Sequence, residues 1–133
     1  WQSIAGGANG IVYWAYHYIH WRLKGEAYDN FYGAYCRVGE EVKRFIPVIM
    51  SVEQSAKVMS CPKAVACRVW RMDGKTYLLM CNTTRDPVEG GIVLDTPFSK
   101  VRCELDAADA KVKGSSVSFS LKPMGVTMLH LGR

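Results

Sequence analysis

The sequence lacks several features that would assign it to a class directly. Its five cysteines include no C-x-x-C pair, so the closely spaced thiols of a typical zinc site are missing. It contains no run of about 18 apolar residues, and it therefore predicts no membrane-spanning helix. Internal repeats and low-complexity tracts are absent too. The chain is 49% hydrophobic and 22% charged, which is typical of a folded globular protein.

An initiator methionine and a signal-peptide pattern are also missing. The chain begins at Trp1, and we expect it to be a piece of a longer protein. The formal net charge is +5, but the basic residues are scattered and are not interleaved with aromatic residues as on a nucleic-acid surface. The sequence therefore predicts neither a nucleic-acid partner nor a membrane partner.

The cysteines themselves are few and unpatterned. Their number is odd, and an odd number leaves at least one thiol unpaired within the chain. We expect them to be small, buried apolar side chains. A single disulfide between neighbouring strands stays open, because spacing alone does not decide pairing. The five are Cys36, Cys61, Cys67, Cys81 and Cys103.

The first 62 residues combine helical and strand-like patterns. Residues 1–5 are apolar at helical spacing, and the glycine-rich turn at 6–10 predicts the end of that helix. Residues 10–16 then form an apolar run of β-branched and aromatic residues without polar alternation. Such runs are typical of strands that are covered on both faces, which is the usual situation in a parallel sheet.

A second helix is predicted at about residues 30–46. Asp29 or Asn30 is a suitable N-cap, and Pro47 predicts that the helix stops at Ile46. One face of this helix carries residues at spacings of three or four. They are Tyr32, Tyr35, Gly39, Val42 and Ile46.

Residues 63–133 read as a series of short strands. Val65, Cys67 and Val69 alternate with more polar neighbours, and glycine and proline turns separate the later apolar segments. The Asp73-Gly74 pair predicts a tight hairpin, because both residues tolerate positive φ. The pattern indicates a small antiparallel β-sandwich.

Four segments together resemble the C-terminal part of a glycoside hydrolase with a (β/α)8 barrel. Gly7–Tyr16, GANGIVYWAY, is similar to the turn and eighth strand of such barrels. Val38–Ile49 is similar to their last helix. Trp70–Thr84 and Pro123–Leu131 are similar to the first hairpin and the final strand of the β-sandwich that often follows the barrel.

The resemblance implies an α+β fold, the last strand and helix of a (β/α)8 barrel followed by a small antiparallel β-sandwich. Residues 1–62 would be the end of the barrel domain, and residues 63–133 the sandwich. The intact enzyme would hydrolyse glycosidic bonds with carboxylates that precede Trp1, so the chain alone is expected to be inactive, with no catalytic residue, no metal and no cofactor. Because glycan-degrading enzymes are usually exported, an extracytoplasmic location is favoured.

The resemblance also implies a sugar-binding role for three aromatic side chains. Trp14 would lie at the C-terminal end of the barrel strand, where its indole face would stack on a pyranose. Tyr16 and His17 would line the same rim. The implied partners are a carbohydrate substrate and either the missing N-terminal barrel portion or a second copy of the chain. Packing of Trp14 in a core is the alternative for that residue.

Other candidate sites are less well supported by their surroundings. His17 and His20 stand three residues apart but have no evident third metal ligand. Glu26 and Asp29 could form a catalytic pair, although capping of the helix explains them better. Asn82-Thr83-Thr84 matches a glycosylation sequon.

Two further functions stay open at this point. The chain could be a non-catalytic carbohydrate-binding or protein-interaction module with an aromatic patch formed by Trp14, Tyr16, Tyr18 and Trp21. It could also be an enzyme in its own right that uses Glu26 or Asp29.

Overall fold

A computed structural model describes residues 1–9, 22–106 and 108–133 of the chain. The described residues contain two helices, α1 (Gln2–Ala5) and α2 (Glu26–Ile49). Seven strands follow: β1 (Val58–Ser60), β2 (Val65–Met72), β3 (Lys75–Asn82), β4 (Val88–Phe98), β5 (Lys100–Leu105), β6 (Asp109–Leu121) and β7 (Val126–Gly132). Within these residues, neither helix combines the length and apolar character that crossing a bilayer requires.

The seven strands form two antiparallel sheets. One has three strands in the order β1-β4-β6, and the other has four in the order β2-β3-β7-β5. The predicted hairpin joins β2 to β3, and Met72 pairs with Lys75 across the turn. Asp73 and Gly74 have φ values of 52° and 73°, so the positive-φ turn that their sequence predicted is confirmed.

The two sheets pack face to face around an apolar core. Alternate residues of each strand point inward, because side chains along a strand project to opposite faces. The four-stranded sheet contributes Val65, Val69, Leu78, Met80, Leu129 and Leu131, and the three-stranded sheet contributes Ile92, Leu94, Phe98, Val117, Phe119 and Leu121.

The outer face of the four-stranded sheet is covered by the two helices. Trp70, Leu79, Cys81 and Met128 lie on this face and pack against a second apolar cluster. The helices contribute to that cluster Ile4, Ala5, Phe45, Val48 and Ile49.

Trp1, the N-cap of α1, contacts α2 and so joins the two helices that cover the sheet. Its ring packs edge-on against Phe45 with the ring centroids 6.0 Å apart. Its indole Nε1–H donates a hydrogen bond to a carboxylate oxygen of Glu41 at 3.2 Å. Arg44 adds a polar contact, because its guanidinium donates to the backbone oxygen of Glu104. Contacts near the C-terminal end of α2 therefore attach the helix to the sheet.

The α+β prediction of a barrel remnant followed by a sandwich is wrong. The described chain is mostly β, its strand pairs are all antiparallel, and no remnant of a (β/α)8 barrel is evident in it. The prediction of a parallel sheet assumed that strands covered on both faces are usually parallel. The sheet β2-β3-β7-β5 is covered by helices on one face and by the other sheet on the opposite face, and it is nevertheless antiparallel. The proposed barrel strand at 10–16 lies outside the described residues.

Helix α2 begins four residues before and ends three residues after the predicted range of 30–46. Gly25 is its N-cap, not Asp29 or Asn30. Pro47 lies inside the helix, although proline lacks an N–H donor and strains the preceding turn. The helix continues for only two more residues, Val48 and Ile49, and both are buried against the sheet. Their burial offsets the cost of the proline.

One buried polar residue joins the turns at one end of the sandwich. Asn82 is 0% exposed. Its side-chain NH2 donates to the backbone oxygens of Asp86 at 2.7 Å and Lys122 at 2.9 Å. Its Oδ1 accepts from the backbone N–H of Thr84 at 2.9 Å and from that residue's hydroxyl at 2.8 Å. The side chain therefore connects the end of β3 to the β6–β7 turn.

We predict that Asn82→Leu lowers the free energy of unfolding by about 2 kcal/mol or more, because it leaves buried backbone groups without partners. Urea unfolding followed by circular dichroism measures the change. Thr83→Ala is the matched control, since Thr83 is exposed and its hydroxyl makes one hydrogen bond, to Ala64. That variant should lose less than about 1 kcal/mol. Equal stability of Asn82→Leu and the wild type would contradict the role of this network.

Candidate binding surfaces

The residues predicted to bind sugar, Trp14, Tyr16 and His17, lie outside the described part of the chain. The same holds for His20, the second member of the possible metal pair. Their roles therefore stay predictions. Among the residues that the structure describes, no group of three or more His, Cys, Asp and Glu side chains is placed to hold a metal ion.

Glu26 and Asp29 both lie in the first turn of α2 and are exposed. Carboxylates at this position interact favourably with the partial positive charge at a helix N-terminus. The helix dipole therefore accounts for the two side chains without a catalytic role.

The thiols differ in exposure, and the expectation that the cysteines are buried is wrong for Cys36 and Cys103, while Cys61 and Cys67 are partly buried. All five cysteines are free, with Cys36 and Cys103 exposed and Cys81 buried. Burial raises the pKa of Cys67 to about 12, and a hydrogen bond with the neighbouring Cys61 thiol acts in the same direction. Burial also raises the pKa of Cys81 to about 11. Because the thiolate is the reactive form, Cys67 and Cys81 are poor nucleophiles near neutral pH.

A polar cleft lies where the β2–β3 turn approaches β4 and the end of β7. Its volume is about 430 Å³, within the usual range for small-molecule sites. The connector between α2 and β1 forms another wall. Side chains that line this end cleft include those of Gln54, Arg71, Lys75, Thr76, Asp95, Thr96, Phe98, His130 and Arg133.

The carboxylates at the end cleft are already engaged by backbone groups. Glu53 accepts from the N–H of Asp73 at 2.7 Å and lies 3.8 Å from the Nε of Arg71. The Oδ1 of Asp95 accepts from the N–H of Lys57 at 2.9 Å and from the hydroxyl of Thr96 at 3.1 Å. These bonds hold the carboxylate of Glu53 against the β2–β3 turn and that of Asp95 against the connector before β1.

Two cations that line the cleft form no ion pair with a carboxylate of the described residues. In residues 1–9, 22–106 and 108–133 the ion pairs within 4.0 Å are Lys43–Glu40, Arg71–Glu53 and Arg102–Glu104. Lys75 and Arg133 therefore have no carboxylate partner in the described chain, and both are exposed. These two unpaired cations share the end cleft with the carboxylate of Asp95.

Helix α2 carries a second candidate surface. Phe31 is 40% exposed and Ile46 is 49% exposed, and the rings of Tyr32 and Tyr35 stack with their centroids 6.4 Å apart. We call Phe31, Tyr32, Tyr35 and Ile46 the helix stripe. The spacing of Tyr32, Tyr35 and Ile46 was visible in the sequence, but the sheet is covered by a different face, that of Phe45, Val48 and Ile49.

Beside the stripe lies an apolar depression of about 350 Å³. Gly39 forms part of its lining, and a Cβ added there would meet nothing within 4 Å. The other lining residues are Tyr35, Cys36, Val38, Glu40, Val42, Lys43 and Ile46.

Sequence reasoning did not find the end cleft. Its lining comes from four separate segments, so no local motif marks it. The one signal in the sequence was the Asp73-Gly74 turn, which places Arg71 and Lys75 on either side of the hairpin end. Comparisons with protein-family models, with curated proteins and with solved structures found no match for this chain.

The burial of the thiols gives a direct prediction. Iodoacetamide at pH 8 should alkylate Cys36 and Cys103 rapidly and Cys67 and Cys81 slowly, because a thiol of pKa 12 is about one part in ten thousand thiolate at that pH. Peptide mass spectrometry over time measures the rates. The chain unfolded in urea is the control, in which all of them should react at similar rates. Equal rates for Cys67 and Cys103 in the folded chain would contradict the assignment.

Proposed function

We propose that this chain is the C-terminal, non-catalytic part of a glycoside hydrolase, in which helix α2 attaches the β-sandwich to the catalytic part. The resemblance of the two sandwich segments, Trp70–Thr84 and Pro123–Leu131, to the domain that follows the barrel in such enzymes supports the carbohydrate assignment. The proposal makes no use of a barrel strand within this chain.

The placement of four carboxylates supports a non-catalytic role. Glycosidases generally use two carboxyl groups that flank the scissile bond across an open site. Glu53, beside the end cleft, accepts from a backbone N–H of the β2–β3 turn, and Asp95, in the cleft lining, accepts from a backbone N–H of the connector before β1. Glu26 and Asp29 lie on the first turn of a helix. The proposal therefore assigns the catalytic carboxylates to another part of the enzyme.

The helix stripe is the observation that carries the proposal. Helix α2 has 24 residues, but only Phe45, Val48 and Ile49, all in its last two turns, are buried. Phe31 and Ile46 remain substantially exposed. Apolar side chains grouped on one exposed face usually mark an interaction site. The occupant we propose is the catalytic part of the same enzyme, because α2 already contacts the sandwich through Phe45, Val48 and Ile49.

We predict that a double substitution on the stripe, Phe31→Ala with Ile46→Ala, has different effects in two proteins. In the 133-residue chain it should change the melting temperature little, since both side chains are exposed there. In the complete gene product it should cost about 2–4 kcal/mol, because two side chains that are buried at the interface lose their contacts. Differential scanning calorimetry of both proteins measures the difference.

The control is Arg37→Ala, an exposed residue on the opposite side of the same helix. It should leave both melting temperatures unchanged. The complete gene product should hydrolyse at least one member of a panel of chromogenic glycosides, and the 133-residue chain should hydrolyse none. Hydrolysis by the chain alone, or a complete product that is inactive on the whole panel, would overturn the proposal.

A further inference from the structure

Two of the five thiols lie side by side where the two sheets meet at β1 and β2. We propose that Cys61 and Cys67 form a disulfide bond when the chain meets a disulfide oxidant such as oxidised glutathione. The bond would join the end of β1, in the three-stranded sheet, to β2, in the four-stranded sheet. This inference goes beyond the proposed function and does not depend on it, because it uses none of the contacts of helix α2.

The backbone brings the two cysteines together. Cys61 directly follows β1, and a tight turn, in which the N–H of Val65 donates to the oxygen of Pro62 at 3.0 Å, leads into β2. The Sγ of Cys61 lies 3.3 Å from the backbone oxygen of Val65, so this thiol lies against the first residue of β2. Cys67 is two residues further along the strand and therefore projects from the same face as Val65.

The two thiols are also in contact with each other. A side-chain hydrogen bond joins Cys67 to Cys61. Because the S–H of Cys61 donates to the oxygen of Val65, its sulfur is the acceptor in this bond and Cys67 is the donor. Both side chains pack against the apolar core between the sheets. The surroundings therefore hold one sulfur next to the other before any oxidation takes place.

The other three thiols are not placed to compete for either partner. Cys81 is 0% exposed and lies on the opposite face of the four-stranded sheet, against the helices. Cys36 is exposed on α2. Cys103 is exposed on β5, at the other edge of the sheet from β2. Oxidation within the chain should therefore join Cys61 to Cys67.

The reaction balances with one molecule of oxidised glutathione. Burial raises the pKa of Cys67 to about 12 and keeps it protonated, so the Cys61 sulfur attacks the oxidant first. One glutathione leaves and takes up the proton that Cys61 lost, and the other stays joined to Cys61. The Cys67 sulfur then attacks the Cys61 sulfur, and its proton passes to the second glutathione as that leaves. Two cysteine thiols are oxidised, and one glutathione disulfide is reduced to two thiols.

Contact between the sulfurs makes the second step possible. Only a small fraction of Cys67 is thiolate near neutral pH, but an attack within one molecule gains greatly from proximity. The product closes the short loop 61–67 and ties down β1, a strand of three exposed residues. Because a closed loop restricts the unfolded chain, the oxidised protein should melt about 5 °C higher than the reduced one. The bond should persist in an oxidising compartment, since cytosolic reductants keep thiols reduced.

The test is peptide mapping of the 133-residue chain. Protein freed of reductant is incubated with oxidised glutathione at pH 8, treated with iodoacetamide and digested with trypsin, which cuts after Lys63 and so separates Cys61 from Cys67. Peptides 58–63 and 64–68 should appear joined, at a mass two hydrogens below the sum of both. Cys36 and Cys103, which are exposed and lie on separate elements, should carry glutathione instead.

A double variant, Cys36→Ala with Cys103→Ala, is the matched control. It should form the joined peptide as the wild type does, and calorimetry of its oxidised and reduced forms measures the shift in melting temperature without glutathione on exposed thiols. Adding Cys67→Ala should abolish the shift and leave glutathione on Cys61. If that variant does not fold, the peptide map of the wild type decides alone. Glutathione retained on Cys61 of the wild type, or both thiols still open to iodoacetamide after oxidation, would overturn the proposal.

Discussion

The structure depends on the four-stranded sheet being buried on both faces. Leu78, Leu79, Met80 and Cys81 are consecutive in β3, and all four are fully buried. Leu78 and Met80 face the other sheet, whereas Leu79 and Cys81 face the helices. Without the helix cover, the second pair would be exposed to water, so α1 and the end of α2 are parts of the same fold.

Burial on both faces creates a problem of register. A strand with one polar face is held in place because a slip of one residue would bury its polar side chains. In β3 a slip would exchange one apolar set for another, so polarity alone does not fix the pairing. The Asp73-Gly74 turn fixes one end of the strand, and the hydrogen bonds of Asn82 fix the other. Local turn chemistry therefore does what polar alternation does in simpler sheets.

The parts of the fold that local chemistry determines could be predicted from the sequence. The hairpin at Asp73-Gly74 follows from the φ preferences of two residues. The pairing of β5 with β7 does not, because it joins distant segments and depends on packing. The end of α2 was predicted too early, since the burial of Val48 and Ile49 outweighs the effect of Pro47.

The candidate surfaces show the same division. Spacing identified most of the helix stripe, because three- and four-residue intervals place side chains on one face of a helix. Spacing did not show which face of α2 contacts the sheet, since both faces are apolar near Ile46. The end cleft could not be predicted at all. Gln54, Lys75, Asp95 and His130 meet there only through the packing of the two sheets.

The position of Asn82 has a consequence for producing the protein. Its NH2 group, the atom to which an N-linked glycan would be joined, is used in two hydrogen bonds inside the fold. The Asn82 side chain of the sequon Asn82-Thr83-Thr84 is accessible only while the chain is unfolded. In a eukaryotic secretory host, an oligosaccharide attached to the growing chain would occupy the place of the turn contacts, and the modified molecules could not close this end of the sandwich. A host without that machinery avoids the conflict.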